Sequence, residues 1–261
     1  SSRPLAFLDP QLTDTFVESF ESQNGEYLGN QQIESVEWDG LTEVVTKLKS
    51  GKVIKSQKMF VALGRVANVE ILKPDVAGVT MSPRNHILVN ENYQTDTPHI
   101  YAVGDVIGFP SLASCSMEQG RRAIYHTLGK NNSTPFENVP MGIYTIPEIS
   151  SIGLNEDVAR EKHGDIIVGY ADFHNIARGQ ISGIQDGLLK LVCAPDGQTI
   201  LGAHIIGEGA TELIHVAQMA ILGNLKIDTF VENVMNFPTL AEAYRVAAID
   251  VYHNLQSRSL K

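Results

Sequence analysis

The 261-residue sequence has two cysteines, one tryptophan and no long apolar run. Cys115 and Cys193 lie far apart and outside any C-x-x-C spacing, which excludes a disulfide framework and a zinc knuckle. The eight histidines form neither an H-x-x-x-H nor an H-x-H pattern, so we expect no metal site. No apolar run reaches the roughly 18 residues that a membrane-spanning helix needs, and the first residues show no signal-peptide pattern.

Basic charge is also scarce. The net charge is −10 and the pI is about 5.2, and no dense basic stretch offsets the acidic residues. We therefore exclude nucleic acid and anionic membrane surfaces as partners. With 43% hydrophobic and 19% charged residues, the composition is that of a soluble globular protein of about two domains, for which the cytoplasm is the expected location.

A complete glycine fingerprint for a dinucleotide is missing too. Such a fingerprint follows a strand and reads G-x-G-x-x-G, because the glycines let the backbone approach a pyrophosphate. The one similar stretch, Gly207 to Glu212, has glutamate in place of the third glycine. It predicts a turn from a strand into a helix.

The most informative stretch is Thr97 to Arg122. Ile100 to Val103 predict a buried strand that ends on Gly104-Asp105, and the chain becomes helical after Pro110-Ser111. In open α/β folds ligands collect at the carboxyl ends of strands, and a helix N-terminus favours negative charge. By itself, a Gly-Asp pair predicts only a turn in which the aspartate caps its neighbours. In the helix we expect an i,i+4 ion pair between Glu118 and Arg122.

The residues before this stretch predict a helix, an antiparallel meander and a strand. Asp9-Pro10 has the cap and first-turn residues of a helix that Gly25 ends. The meander comprises Ile33–Trp38, Thr42–Leu48 and Lys52–Ile54, joined by turns at Asp39-Gly40 and Ser50-Gly51. Met59 to Leu63 predict a short strand ending on Gly64-Arg65.

From about Asn138 the pattern predicts an α+β domain. Leu188–Cys193 and Ile200–Ile206 flank the hairpin turn Pro195-Asp196-Gly197, and helices are predicted over 208–222 and 240–255. The first of these helices has an apolar face that one small sheet is not expected to cover, formed by Leu213, Ala217, Ala220 and Ile221. This face predicts a homodimer.

Several of these motifs resemble the flavoprotein disulfide reductases and their relatives. They are IYAVGD with the helix PSLASCSMEQGRRA behind it, the Gly64-Arg65 turn, and FPTLAEAY near the end. The resemblance implies an α/β plus α+β fold: the second half of a Rossmann-like NAD(P)-binding domain (1–68), a segment of an FAD-binding domain (69–137) and a dimerisation domain (138–261). It also implies that the chain is the carboxy-terminal portion of a longer protein, because the family's amino-terminal FAD domain and C-x-x-x-x-C pair are missing.

The resemblance further implies the cofactor-binding residues. Asp105 would bind the ribitol of FAD, and the helix behind it would point its N-terminus at the isoalloxazine. The full set is Gly104, Asp105, Leu112, Ala113, Ser114 and Gly64. The family usually has G-R-x-P-N where this chain reads Gly64-Arg65-Val66-Ala67-Asn68, so the match departs at the proline.

Position 237 distinguishes between members of the family. Thr239 and Glu242 have the spacing of a capping box, which by itself explains both residues. The same stretch resembles the H-P-T-x-x-E motif, whose histidine is the acid/base for thiols, but this chain has Phe237. Phenylalanine cannot exchange a proton, so thiol chemistry lacks its agent and no catalytic residue is assigned.

With this substitution the chain resembles the family of soluble pyridine nucleotide transhydrogenases. That resemblance implies hydride transfer between NADPH and NAD⁺ with FAD, NAD and NADP as cofactors, a homodimer or higher homo-oligomer, and nicotinamide nucleotides as binding partners. Two alternatives stay open: a flavoprotein similar to dihydrolipoamide dehydrogenase, and a dimerisation fragment that is inactive by itself because half of the FAD site and the NAD(P) fingerprint are missing.

Overall fold

The computed structural model describes residues 1–130, 137–184 and 186–259; for residue 259 it describes the backbone only. The chain forms two compact units, Ser1–Gln57 with Asn138–Lys261, and Lys58–Glu137. The domain limits expected from the sequence (1–68, 69–137 and 138–261) remain a proposal. Within the described residues the helices are α1 (Pro10–Ser22), α2 (Ala113–Thr127), α3 (Glu156–His163), α4 (Ala177–Ser182), α5 (Ala210–Leu222), α6 (Asp228–Glu232) and α7 (Glu242–Ser259).

Helix α1 begins where the sequence predicts it. The Asp9 carboxylate caps it by accepting the Gln11 N–H at 3.1 Å, and Pro10 occupies the first helical position. Gly25 follows its end because the Phe20 ring packs there: a Cβ on Gly25 would lie 2.3 Å from that ring. The helix prediction is confirmed.

The meander is confirmed as a three-stranded antiparallel sheet. Its strands are β1 (Ile33–Trp38), β2 (Val44–Leu48) and β3 (Val53–Ser56), in that order. The turn between β1 and β2 is held by Asp39, whose Oδ1 accepts the backbone N–H groups of three following residues, Leu41, Thr42 and Glu43. The local turn chemistry was therefore sufficient to predict this sheet.

A five-stranded antiparallel sheet dominates the same unit. It comprises β4 (Met141–Ile143), β5 (Ile149–Gly153), β6 (Ile167–Asp172), β7 (Leu188–Cys193) and β8 (Ile200–Ile206), in the order β4-β5-β8-β7-β6. The hairpin from β7 to β8 is confirmed, and Asp196 closes its turn by accepting the N–H groups of Gln198 and Thr199. The stretch from Gly207 to Glu212 is the predicted turn from β8 into α5, with both glycines at positive φ.

Both faces of this sheet are buried. On one face α5 and α7 cover the alternate residues Leu189, Leu191, Ala203 and Ile205. On the other face Leu12 of α1 packs against Leu188 and Ile206, and Ala159 of α3 packs against Val192. The strands are accordingly apolar at nearly every position, as expected for a sheet covered on both sides.

The apolar face predicted for α5 lies against the protein's own sheet. Ala217 and Ala220 are buried, and Leu213 and Ile221 pack against the core. The expectation that one sheet would leave this face uncovered is therefore wrong, because small alanine side chains let the helix approach the strands closely. The exposed apolar residues of α5 lie on a different side.

In the unit Lys58–Glu137 two predicted strands are not formed. Residues 59–63 have no regular secondary structure and no strand partner among the described residues, and Phe60 is 90% exposed. Within the described part of the chain, residues 100–103 make a single β-bridge, between Tyr101 and Gln94. An apolar run becomes a strand only where a neighbouring strand accepts its hydrogen bonds, and the described chain offers neither run such a ladder. No helix among the described residues has the length and apolar character required to cross a bilayer.

Candidate functional site

Gly104 and Asp105 form the centre of the predicted site. They begin a 3-10 turn, Gly104–Ile107, that follows extended backbone at Val103. Gly104 has a φ of +81°, and a Cβ there would lie 3.0 Å from the Ser116 hydroxyl, so the position requires glycine. Asp105 follows directly, with a side chain that is 50% exposed. The turn therefore presents a carboxylate that a ligand can reach.

Helix α2 presents its N-terminus in the same unit. Its N-cap residue is Leu112, whose side chain accepts no hydrogen bond, and Ala113 and Ser114 are exposed. The first backbone N–H groups of the helix are thus available to an acceptor on a ligand, and the helix dipole adds to their attraction for negative charge.

Arg65 reaches the same carboxylate, which sequence reasoning did not anticipate. Its Nη1 donates to Asp105 Oδ2 at 2.5 Å. The preceding Gly64 has a φ of +62° and lies in open surroundings. The Gly64-Arg65 turn belongs to the same compact unit as Asp105. The sequence signal for this residue was the Gly64-Arg65 pair, which predicts the end of a strand.

Gln119 is a second residue that sequence reasoning missed. Its Oε1 accepts the Gly104 N–H at 2.7 Å, and the side chain is 3% exposed. A signal was present, because Gln119 lies four residues after Cys115 and four before Ala123, both buried. A polar residue in such a buried row needs a hydrogen-bond partner within the protein.

The other charged groups of α2 have local roles. The predicted pair of Glu118 and Arg122 is confirmed at 2.7 Å, and Arg121 binds the same carboxylate. Hydrogen bonds from Arg121 above all, and from Arg122, lower the pKa of Glu118 to about 2. Burial raises the pKa of the Cys115 thiol. Glu118 therefore stays ionised at neutral pH and Cys115 stays protonated, so neither is a proton shuttle or a reactive thiol.

This arrangement fits the ribitol and the ring edge of a flavin. A half-exposed carboxylate suits hydroxyl donors, and the free N–H groups of α2 suit an electron-rich ring edge. The glycine at 104 lets the turn approach α2 with no side chain between them. Gly104, Asp105, Leu112, Ala113 and Ser114 occupy one turn and the start of one helix, while Gly64 adjoins them only through Arg65. Their assignment to a cofactor remains a proposal.

Phe237 lies in the other unit, in the loop before α7. Its ring is 73% exposed. Half of the predicted capping box is formed: the Thr239 N–H donates to Glu242 Oε2 at 3.4 Å, whereas the Thr239 hydroxyl donates to the Asn236 carbonyl at 2.8 Å. Glu242 is thus explained by capping.

A buried ionic cluster, absent from the sequence analysis, lies on the α1 face of the five-stranded sheet. Lys190 of β7 is 3% exposed and donates to both oxygens of Asp9, at 2.9 and 3.0 Å, and to Glu156 at 2.7 Å. Burial by itself would lower the pKa of Lys190, but the hydrogen bonds to Asp9 and Glu156 raise it overall. Asp9 also caps α1, so the cluster joins α1, α3 and β7.

His204 faces the same side of the sheet directly beside Lys190. Its Nε2 lies 3.0 Å from the Leu154 carbonyl oxygen, which can only accept, so Nε2 carries the proton. Nδ1 then accepts from the Ser151 hydroxyl at 3.1 Å. Burial lowers the pKa of this imidazole. His204 is therefore a neutral, satisfied core residue.

An open cleft of about 540 Å³ adjoins this cluster. One lysine and five acidic residues line it: Lys190 with Asp9, Asp14, Glu18, Glu156 and Asp157. Because the phosphates of FAD and NAD(P) are anionic, this excess of carboxylates opposes nucleotide binding in the cleft.

Comparisons with known proteins point to one family. The profile described as "Pyridine nucleotide-disulphide oxidoreductase" matches residues 1–120, and that of the family's dimerisation domain matches residues 139–248. A protein of Hamiltonella defensa named soluble pyridine nucleotide transhydrogenase is 43% identical over 96% of this chain and 54% of its own length. Proteins of the same name from Enterobacter and Escherichia coli are 42% identical over 97% of this chain and 55% of theirs. The chain thus spans about half the length of the curated relatives it matches.

Solved structures show the same fold. LpdA from Mycobacterium tuberculosis matches 92% of this chain and 52% of its own, with a TM-score of 0.83 and 24% identity. The HOCl-induced flavoprotein disulfide reductase RclA from Escherichia coli matches 94% of this chain and 56% of its own, with a TM-score of 0.88 and 22% identity.

Proposed function

The chain belongs to the pyridine nucleotide-disulphide oxidoreductase family, and we propose that it is part of a soluble transhydrogenase that moves a hydride between NADPH and NAD⁺. Membership of this family implies FAD and NAD(P) as cofactors. The relatives with this name support the choice of reaction.

One observation carries the proposal, namely that residue 237 is an exposed phenylalanine. Dithiol oxidation needs a base to remove a proton from sulfur, and the resemblance places that base at this position. Phenylalanine removes this function and leaves hydride transfer possible. General-base catalysis contributes about 10² to 10⁴ in rate, so its loss separates the two reactions clearly.

The described residues would bind and orient the cofactor. When bound, FAD supplies the acceptor and donor of the hydride between the two nicotinamides. Asp105 would accept hydrogen bonds from the ribitol, and the N–H groups at Ala113 and Ser114 would face the ring edge. Because Cys115 is buried and Phe237 has no polar atom, these residues offer neither a reactive thiol nor a proton.

We also propose self-association through the unit that contains the dimerisation-domain match. Exposed apolar side chains recur every three residues along two of its helices, at Val216, Met219 and Leu222 of α5 and at Val246 and Ile249 of α7. Such stripes are typical of faces that a second chain covers. We expect light scattering at micromolar protein concentration to show a dimer for the wild type and a monomer for Met219→Glu. A monomeric wild type would contradict the proposal.

The enzymatic test uses the full-length protein that contains this chain. NADPH with a thio-analogue of NAD⁺ should give turnover, while dihydrolipoamide with NAD⁺ on the same preparation should give none that is useful. Robust dihydrolipoamide oxidation with negligible transhydrogenation would overturn the proposal. Phe237→His is the matched control. It should leave transhydrogenation in place and should create no disulfide activity by itself, because that activity also requires the family's C-x-x-x-x-C pair, which this chain does not contain.

A further inference from the structure

We propose that Gln119 is a positioning residue of the flavin site, which holds the Gly104-Asp105 turn at a fixed place along α2; this inference rests on the proposed function. Its carboxamide oxygen accepts the Gly104 N–H at 2.7 Å, and both residues are buried. Water is excluded from this position, so loss of the acceptor would leave the N–H unpaired or move the turn.

A second hydrogen bond links the same two segments. The Tyr101 hydroxyl and His126 Nδ1 lie 2.8 Å apart. Along the extended segment, three residues from 101 to 104 span about 10 Å. Along α2, seven residues from 119 to 126 span about 10.5 Å. Because these lengths match, both hydrogen bonds are compatible with one antiparallel register of the segment and α2, in which the bond at Gly104 lies next to Asp105 and the bond at Tyr101 lies far from it.

This register determines the relative positions of the two groups proposed to contact the cofactor, the Asp105 carboxylate and the N–H groups at the start of α2. From Gly104 the chain continues into Asp105, and from Gln119 helix α2 runs back to its N-terminus at Ala113. The bond between Gly104 and Gln119 thus joins the two segments one residue before Asp105 and six residues after Ala113. It sets the offset between the carboxylate and the N–H groups of α2, which a rigid ligand must contact at once.

The Asp105 carboxylate itself is bound by an exposed residue, Arg65. The Arg65 side chain is 73% exposed, so water replaces this contact readily. Gln119 does not touch the carboxylate. It acts through the backbone, which makes it a positioning residue and predicts that its effect on FAD depends on Asp105.

The test uses the full-length protein and variants at positions 101, 105 and 119, the last also combined with D105A. Q119L removes the acceptor and keeps a similar volume, and Q119E keeps an accepting oxygen. Y101F removes the hydroxyl that contacts His126 and Gln94 and leaves the bond at Gly104 in place. FAD affinity is measured by fluorescence, the geometry of the bound flavin by its visible circular dichroism at saturation, and folding by the unfolding midpoint.

We expect Q119L to bind FAD about tenfold more weakly with an altered flavin dichroism. Q119E and Y101F should bind within about threefold of wild type with the wild-type spectrum. In the D105A background, Q119L should weaken FAD binding by less than about threefold more, because the two residues act as a unit. If Q119L does not fold, Q119A serves instead: a water molecule can satisfy the N–H there without fixing the turn, so the same loss is expected.

Two results would overturn the inference. The first is that Q119L binds FAD with wild-type affinity and spectrum. The second is that the loss of FAD affinity caused by Q119L adds in full to the loss caused by D105A, which is the behaviour of a residue that only stabilises the fold. The proposed function fails separately, if the wild-type protein binds no FAD or if D105A does not weaken the binding.

Discussion

Each compact unit contains an aspartate paired with a basic residue, and the two pairs differ in almost every respect. Asp9 is fully buried, caps α1 and binds a lysine that is itself buried. Asp105 is half-exposed and binds an exposed arginine. The pairs have the same chemistry but opposite surroundings.

The difference separates a structural charge from one available to a ligand. Desolvating Asp9 and Lys190 is costly, and their hydrogen bonds offset that cost only while both partners are present. Asp105 remains half-exposed to water, so its pair with Arg65 contributes little to folding and can be exchanged for hydroxyl groups of a cofactor.

The sharpest test of this contrast is Lys190→Met. It leaves Asp9 buried with no counter-charge, so the free energy of unfolding should fall by about 3 to 5 kcal/mol. Urea unfolding followed by circular dichroism measures the loss. The control is Asp9→Asn with Lys190→Met, which keeps a helix cap and removes both charges, and should recover much of the stability. A loss below about 1 kcal/mol in the single variant would show that the buried charge is not structural.

Asp105→Ala should show the opposite pattern in the full-length protein. The free energy of unfolding should change by less than about 0.5 kcal/mol, as for an ordinary exposed position. The dissociation constant for FAD should rise about ten- to a hundredfold, because a charged acceptor is worth about 1.5 to 3 kcal/mol. Fluorescence titration measures the affinity. Unchanged FAD binding would remove Asp105 from the proposed site.

The buried cluster also predicts how stability depends on pH. Burial lowers the pKa of His204 below its ordinary value of 6.5, so the folded state holds this ring neutral. Its contribution is therefore present above pH 6.5 and is lost as pH falls below that value, with a slope of at most about 1.4 kcal/mol per pH unit. Unfolding curves between pH 8 and 5 measure the slope, and His204→Gln should flatten it. An equal slope in the variant would assign it to other groups.

The smallest effect is expected at the exposed pair. Arg65→Gln should change the free energy of unfolding by less than about 0.5 kcal/mol, because solvent screens a contact of this kind. Thermal or urea unfolding of the variant beside Lys190→Met makes the comparison direct. A loss above about 1 kcal/mol at Arg65 would break the distinction between the two pairs.

Local patterns predicted much of the fold. The start of α1 at Asp9-Pro10, the turn at Asp39-Gly40 and the hairpin at Asp196 each depend on hydrogen bonds between near neighbours, which are visible in the sequence. The strands predicted over 59–63 and 100–103 were wrong because a strand depends on a second segment, and no local signal says whether that segment is present.

The site divides in the same way. Asp105 and the start of α2 were predicted from one continuous stretch. Arg65 and Gln119 reach Gly104-Asp105 from 40 and 15 residues away, and Lys190 meets Asp9 across 181 residues. Only the folded backbone brings such residues together, so the sequence did not predict that Arg65, Gln119 and Lys190 would meet these partners.

The separation between Asp9 and Lys190 also sets an order of events during synthesis. A ribosome adds about 5 to 20 residues per second, so about 10 to 35 s pass between the emergence of Asp9 and that of Lys190. Throughout that interval Leu8 and Leu12 lack Leu188 of β7, one of the residues that they pack against in the folded unit. The core contacts of α1 are thus completed only after β7 and β8 have been synthesised.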